Sequence, residues 1–178
     1  MSLRRSAWRT HERNPHQKAV RRLDDAVSLM VRERDRDILC VLSFENGCDP
    51  GNRMQCGHFI QRERMATRFH PMNVNKECAK CNTSHVSGYR PDKGFPYSLA
   101  IDAKYGNGAA LFLYSLSHPK HGLGPSSDES WDVSEIEQLI SAASLGFRAY
   151  AQLYYSLRPH HRFPGEVVHS CAPATDMA

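Results

Sequence analysis

Between residues 17 and about 37 the apolar positions Val20, Leu23, Val27, Met30 and Val31 recur at three- and four-residue intervals, the spacing of one helix face. Arg21, Arg22, Arg32 and Arg36 fall on the other faces, so this segment is predicted to be an amphipathic helix whose stripe joins the core. Residues 38–44 (ILCVLSF) form a short apolar run closed by Glu45-Asn46-Gly47. A second run, 54–60, follows Asp49-Pro50-Gly51-Asn52. Two short strands joined by a turn-rich loop are expected there. Residues 62–70 are polar and Arg-rich and predict an exposed loop. The chain from Asn73 to about His85 is expected to begin extended and to enter a short helix at Cys78. Helices are then expected over 96–105, closed by Gly106, and over 109–116, with a loop across 119–127. Asp132 with Glu135 three residues on matches a capping box. The helix it opens carries Ile136, Leu139, Ile140, Ala143, Phe147, Tyr150, Leu153 and Tyr154 on one broad face.

This pattern fits one domain, as does a length of 178 residues. The expected organisation is a basic mobile arm over 1–16 and a single domain over 17–158, with its core at about 38–90 and C-terminal helices at about 95–158. Residues 159–178, containing His160, His161, His169 and Cys171, read as a flexible tail. A mean hydropathy of -0.56 and the lack of a long apolar run exclude a membrane-spanning helix. The N-terminus is basic without an apolar stretch, so no secretory signal is expected and the cytoplasm is the default location.

Charge sharpens the picture. The net charge is +4, yet residues 1–22 hold seven Lys or Arg against one acidic residue, and residues 53–93 hold eight against three. Two basic stretches suggest a polyanionic partner, of which nucleic acid is the commonest, although a solvated surface accounts for charge alone.

The six cysteines include Cys78-x-x-Cys81, a turn that points two sulfurs at one centre. In a chain read as intracellular, thiols stay reduced and bind metal, so zinc is preferred to disulfides. Cys40 and Cys48 flank the turn at 45–47 and form the preferred second pair. Cys56, His58, His70 and His85 are the alternatives. Four-sulfur zinc would tie the hairpin to the knuckle, contribute folding energy and leave His58 free.

The order Gly57-His58, Asn73, Cys78-x-x-Cys81-Asn82 resembles the motif of the HNH, or His-Me finger, endonucleases. Residues 32–37 (RERDRD), Cys40, Gly57-His58-Phe59, Arg68-Phe69, Asn73, the knuckle, Ser87-Gly88 and Tyr105-Gly106 together are similar to the lambdoid phage NinG (Rap) recombination endonuclease family, over roughly 23–157. The resemblance implies an α+β fold with a zinc-stabilised ββα-metal core and flanking N- and C-terminal helices. It implies a phage- or prophage-encoded DNA endonuclease for branched recombination intermediates such as Holliday junctions and D-loops. In that scheme His58 is the general base, Asn73 a structural amide holding the loop that carries it, and Asn82 or His85 (one or both) a ligand of a catalytic Mg²⁺ or Mn²⁺. The sequence departs from the family at two places. Ser43 stands where a second cysteine of the first Cys-x-x-Cys is expected, which turns attention to Cys48, and Gly57 stands where many HNH enzymes carry a metal ligand.

Phosphodiester hydrolysis needs a base for water, a cation for the developing charge, and in-line positioning. Imidazole suits the first role at neutral pH, and Mg²⁺ with oxygen ligands the second. Arg62, Arg64 and Arg68 follow His58 and are candidate phosphate contacts. A homodimer and a phage or host recombinase are further partners this reading admits, and no membrane is expected. The alternatives are a non-catalytic zinc-containing DNA-binding protein and a zinc-stabilised interaction domain, the latter leaving the Gly-His, Asn, Cys-Asn order unexplained.

Overall fold

The computed structural model describes residues 14–43, 48, 53–86, 94–118 and 130–164, without the side chains of 84–86 and 94–95. Of the arm expected over 1–16, residues 1–13 lie outside the described residues, as do Cys171 and the segment 165–178, whereas Asn14, Pro15 and His16 cap and open the first helix instead of belonging to an arm.

Helix α1 runs Pro15–Arg34. Its start follows from chemistry already visible in the chain: Asn14 Oδ1 accepts from the Gln17 amide at 2.8 Å, Gln17 Oε1 accepts from the Asn14 amide at 3.2 Å, and Pro15 takes the first turn, where no donor is needed. The buried stripe is Ala19, Leu23, Val27, Met30 and Val31. It packs on helix α6 (Val133–Ser144) and on a two-stranded antiparallel ribbon, β1 (Met54–His58) and β2 (Val74–Cys78). The ribbon register runs from Met54 opposite Cys78 to His58 opposite Val74. Between the strands lies the one-turn helix α2 (Met65–Arg68), and after them α3 (Ala79–Val86), α4 (Gly94–Tyr105) and α5 (Ala109–Ser117). Helix α7 (Phe147–Leu157) and a 3-10 turn (Pro159–His161) follow α6.

Two apolar clusters share the ribbon. One gathers Leu23, Val27, Val31, Phe69, Val74, Trp131, Ile136, Leu139, Tyr150 and Tyr154. The other gathers Cys40, Leu42, Phe59, Met72, Tyr97, Ile101 and Leu113. Strand alternation turns Cys56, His58 and Val74 to one face and Gln55, Gly57, Asn75 and Glu77 to the other. The second face is covered by α3 and α4: Asn82 bonds to Gln55, Tyr97 to Glu77, and Lys104 and Tyr105 to Asn75.

Four expectations are corrected. Residues 38–43 are turns, not a strand: Val41 gives β2 one amide bond, to the Lys76 carbonyl at 2.9 Å, and Ser43 already turns back to the Cys40 carbonyl. The apolar run instead buries Cys40 and Leu42, since a short run of this kind does not declare its own geometry. The ribbon is made by β1 with β2, across the loop that carries α2. That loop is exposed only at its start, over 62–64: Ala66, Thr67, Phe69 and His70 are buried. The single C-terminal helix is two, because Gly146, at φ 105°, ends α6. The tail begins later than residue 159, for His161 is buried against Tyr154, whose hydroxyl lies 2.8 Å from its Nδ1. No helix among the described residues is long and apolar enough to cross a membrane.

Candidate metal centre and catalytic histidine

Cys78 ends β2 and Cys81 lies in the first turn of α3, so the strand-to-helix corner presents both sulfurs inward. Cys40, on the turn after α1, and Cys48 complete the group, and the four Sγ atoms lie within 4.8 Å of one another. A tetrahedral zinc with bonds of about 2.3 Å requires sulfurs about 3.8 Å apart. The Cys48 and Cys78 sulfurs lie 3.8 Å apart. The Cys78 amide donates to Cys40 Sγ and the Cys81 amide to Cys78 Sγ, both at 3.4 Å, which is how a knuckle steadies thiolate ligands. Burial, followed by the neighbouring thiols of Cys40 and Cys78, pushes the Cys48 thiol up to about 12, a crowding that a divalent cation relieves. Soft sulfurs in this arrangement suit zinc. Cys56 is not among them: it packs against the first cluster, and burial pushes its thiol up to about 12.

His58 closes β1 on the face of Cys56, away from Gln55 and Asn82. Its ring is half-buried. Packing around the ring, and then the Arg62 guanidinium, pushes its pKa down to about 4, with Asp24 acting in the opposite direction. The imidazole is therefore neutral at neutral pH, and one ring nitrogen has a lone pair to take a proton.

Asn73 closes the loop after His58. Its Oδ1 accepts from the Ile60 amide at 2.6 Å, and its Nδ2 donates to the Ile60 and Thr67 carbonyls at 3.0 and 2.9 Å. It is wholly buried, so these bonds are made out of water.

The glycine before His58 has a local cause. A Cβ at Gly57 would come within 1.8 Å of Glu77 Oε1 and 2.2 Å of Glu77 Cδ. Glu77 is buried and receives a hydrogen bond from the Tyr97 hydroxyl at 2.5 Å. The carboxylate from β2 therefore occupies the space of a side chain at 57. Beside it, Asn82 Nδ2 donates to Gln55 Oε1 at 2.6 Å, which leaves the Asn82 Oδ1 to accept or to ligate. The His85 side chain lies outside the described residues.

Arg62 and Arg64 are exposed in the loop between His58 and α2. Arg68, grouped with them by sequence position, faces inward: its Nε and Nη2 donate to Asp24 Oδ1 and Oδ2 on α1 at 3.1 and 2.5 Å. What turns Arg68 inward is its partner on α1, forty-four residues away, which proximity along the chain does not reveal.

The structure thus brings together the four cysteines, and places His58 and Asn73 on one loop, but sets Asn82 on the opposite ribbon face. Sequence reasoning did not single out Asp24, Glu77, Tyr97 or the buried Asp35. Burial works to raise the Asp35 carboxyl, but Arg34 and Lys104 hold it below its usual range. The alternating polar residues of 74–78 (VNKEC) were the one available signal, since a strand polar at Asn75 and Glu77 needs partners on that face.

Compared with known proteins, the chain is 29% identical over 103 residues to the ninG protein of Enterobacteria phage H19B, covering 57% of this chain and 47% of that one. It is 28% identical over 103 residues to the ninG protein of Escherichia phage lambda, covering 57% of this chain and 46% of that one. The chain spans about half the length of these curated relatives. No family model and no solved structure matches it. What these comparisons establish is a distant similarity, over more than half of an α+β chain carrying a four-cysteine cluster, to phage ninG proteins.

Proposed function

We propose that this protein is a phage-type, metal-dependent DNA endonuclease of the HNH (His-Me finger) kind, cutting branched recombination intermediates with His58 as general base. The observation that carries the reading is His58 itself: a half-buried imidazole kept neutral by its burial, at the end of a strand whose following loop is closed by Asn73, in a ribbon that leads directly into a four-cysteine knuckle. The similarity to phage ninG proteins supports it. The His58 nitrogen takes a proton from the attacking water, and Arg62 and Arg64, exposed beside it, pair with backbone phosphates. A bound Mg²⁺ or Mn²⁺ supplies Lewis-acid stabilisation of the phosphoryl oxygens. Asn82 Oδ1, with His85 as its neighbour in α3, would hold it from the ribbon face opposite that of His58. Zinc at Cys40, Cys48, Cys78 and Cys81 is structural. A homodimer, one protomer per strand, and a recombinase partner belong to the same proposal.

One observation favours the alternative, a zinc-containing DNA-binding protein that does not cut: the space for a ligand at Gly57 is filled by Glu77. The deciding experiment incubates pure protein with a Holliday junction, linear duplex and single strand, with and without Mg²⁺ or Mn²⁺, beside His58→Ala. Metal-dependent cutting preferring the junction is expected, with His58→Ala slower by roughly 10²–10⁴-fold. Junction binding without any cutting would establish the alternative, and undiminished cutting by His58→Ala would remove His58 as the base.

A further inference from the structure

A surface helix ordinarily turns polar side chains outward, and α5 does not. Its sequence, AALFLYSLS, holds no charged residue, and Leu111 and Tyr114, three positions apart on one face, are 71% and 43% exposed. One exposed apolar residue is ordinary; two together beside a candidate site call for an explanation. Tyr114 stands against the residue that follows His58: the Phe59 and Tyr114 ring centroids are 5.4 Å apart, with their planes at 87°. Phe59 is itself buried and braced by Tyr97, at 5.2 Å and 65°. One turn on, the His118 ring lies 5.8 Å from Tyr114 and is tilted 32° to it, with its Nδ1 2.7 Å from Ser117 Oγ. Two partly open rings are thus held side by side. Helix α5 also packs on α2, so this face borders the loop whose exposed side chains include Arg62, Glu63 and Arg64.

We infer that Tyr114 is a stacking platform for an unpaired nucleobase of DNA, with the His118 ring extending it and Arg62 and Arg64 holding the adjoining phosphates. The ligand class rests on the endonuclease reading, whereas the place of the platform rests on the ring geometry. A nucleobase presents a flat, uncharged π face, which suits an aromatic ring on a helix without charges, and its backbone carries the anions that the two guanidiniums pair with. An apolar face also suits a protein partner, but guanidiniums beside the ring favour a polyanion. Within a linear duplex each base is covered by its neighbours, and a branch point with an unpaired arm leaves bases open. Tyr114 therefore favours branched over linear DNA, through a contact one residue from His58.

Fluorescence anisotropy at fixed salt and without divalent metal measures binding of the full chain to a forked DNA with an unpaired arm and to a linear duplex of the same sequence. Tyr114→Ala is expected to lose roughly 5- to 150-fold in affinity for the fork while keeping parental affinity for the duplex. Tyr114→Phe, which retains the π face, is expected to bind the fork within about twofold of the parent. With 2-aminopurine as the unpaired base at the branch, the parent protein is expected to quench its emission and Tyr114→Ala is not. Parental fork affinity and quenching in a Tyr114→Ala protein with near-parental circular dichroism would overturn the inference, as would equal losses on fork and duplex. If Tyr114→Ala does not fold, Tyr114→Leu decides by the same readings, since it keeps apolar bulk against Phe59 without the flat ring. A changed solution mass in Tyr114→Ala with unchanged fork binding would make this face a protein interface and also overturn the inference. If the parent protein cuts no substrate yet prefers the fork through Tyr114, the endonuclease reading falls and the platform stands. If it binds no DNA, both fall.

Discussion

At the scale of single residues, Gly57 shows how one position is dictated by a neighbour across the ribbon. Its φ is not the constraint; the constraint is space, because the Glu77 carboxyl stands 1.8 Å from where a Cβ would be. The far end of a glutamate would ordinarily swing aside, but this one is wholly buried and bonded by Tyr97. Gly57→Ala is therefore expected to destabilise the fold by about 1–3 kcal/mol, the usual cost of overpacking, with part of the loss recovered on adding Glu77→Gly. Urea unfolding of the three variants measures this, and a Gly57→Ala protein as stable as its parent would contradict the packing account. His70 is a second such residue. Its Nδ1 accepts from the Met72 amide at 3.2 Å and its Nε2 lies 2.9 Å from the His161 carbonyl, which assigns the proton to Nε2 and makes the ring a neutral strut.

At the scale of elements, the turn at 38–43, the end of β2 and the start of α3 have few regular hydrogen bonds joining them, and the four sulfurs are what they share. Zinc bound there contributes folding energy to the second apolar cluster, while the α1 and α6 packing, made of side chains alone, does not depend on it. Chelation is expected to strip hydrogen-exchange protection from the ribbon end at Cys78 and from α3 while leaving α1 and α6 protected. Cys48→Ser is expected to lower the zinc content measured by metal analysis, and Cys56→Ser is not. The reverse result would move the fourth ligand to Cys56. Gly146 belongs to this scale too: the periodic face of 136–154 reads as continuous because the break turns the chain without changing which side is apolar.

At the scale of the whole molecule, acid is expected to act through three histidines. Packing pushes His58 and His70 down to about 4, and burial followed by the charge of His70 pushes His161 down to about 3. Each pKa is depressed below the unfolded value near 6.5, so the unfolded chain binds more protons and stability rises with pH across that window. The contribution is complete above about pH 6.5 and is lost as pH falls toward 4, with a slope of up to about 1.4 kcal/mol per pH unit for each histidine. Asp35, held low by Arg34 and Lys104 against its burial, adds to the loss only below its ordinary range near 3.8. Urea unfolding at intervals from pH 7.5 to 4.5 tests the window. A flat profile would refute it, and His70→Gln is expected to reduce the slope by about one histidine's share.

The residues that act through local rules were legible in the chain. The Asp132 cap, the stripe of α1 and the Cys78-x-x-Cys81 turn each depend on neighbours within a few positions, and each stands where its pattern puts it; the Asn14 cap follows the same rule but falls where an arm was expected. The pairing of Cys40 with Cys48 was also within reach, because the two flank a turn signal in the sequence, and their sulfurs join one cluster. Three features were not legible: which segment pairs with β1, which way Arg68 points, and what fills the space beside Gly57. Each is decided by contacts separated by many residues, as between Asp24 and Arg68, Gly57 and Glu77, or Glu77 and Tyr97. The sequence by itself determined the longer helical stretches, the cysteines that cluster and the candidate histidine, since periodicity, capping and ligand spacing are properties of nearby residues. Only the tertiary structure decided that Arg68 is turned onto Asp24 of α1 and that a buried carboxyl stands over Gly57. Those arrangements depend on which distant surfaces pack together, and no local pattern encodes them.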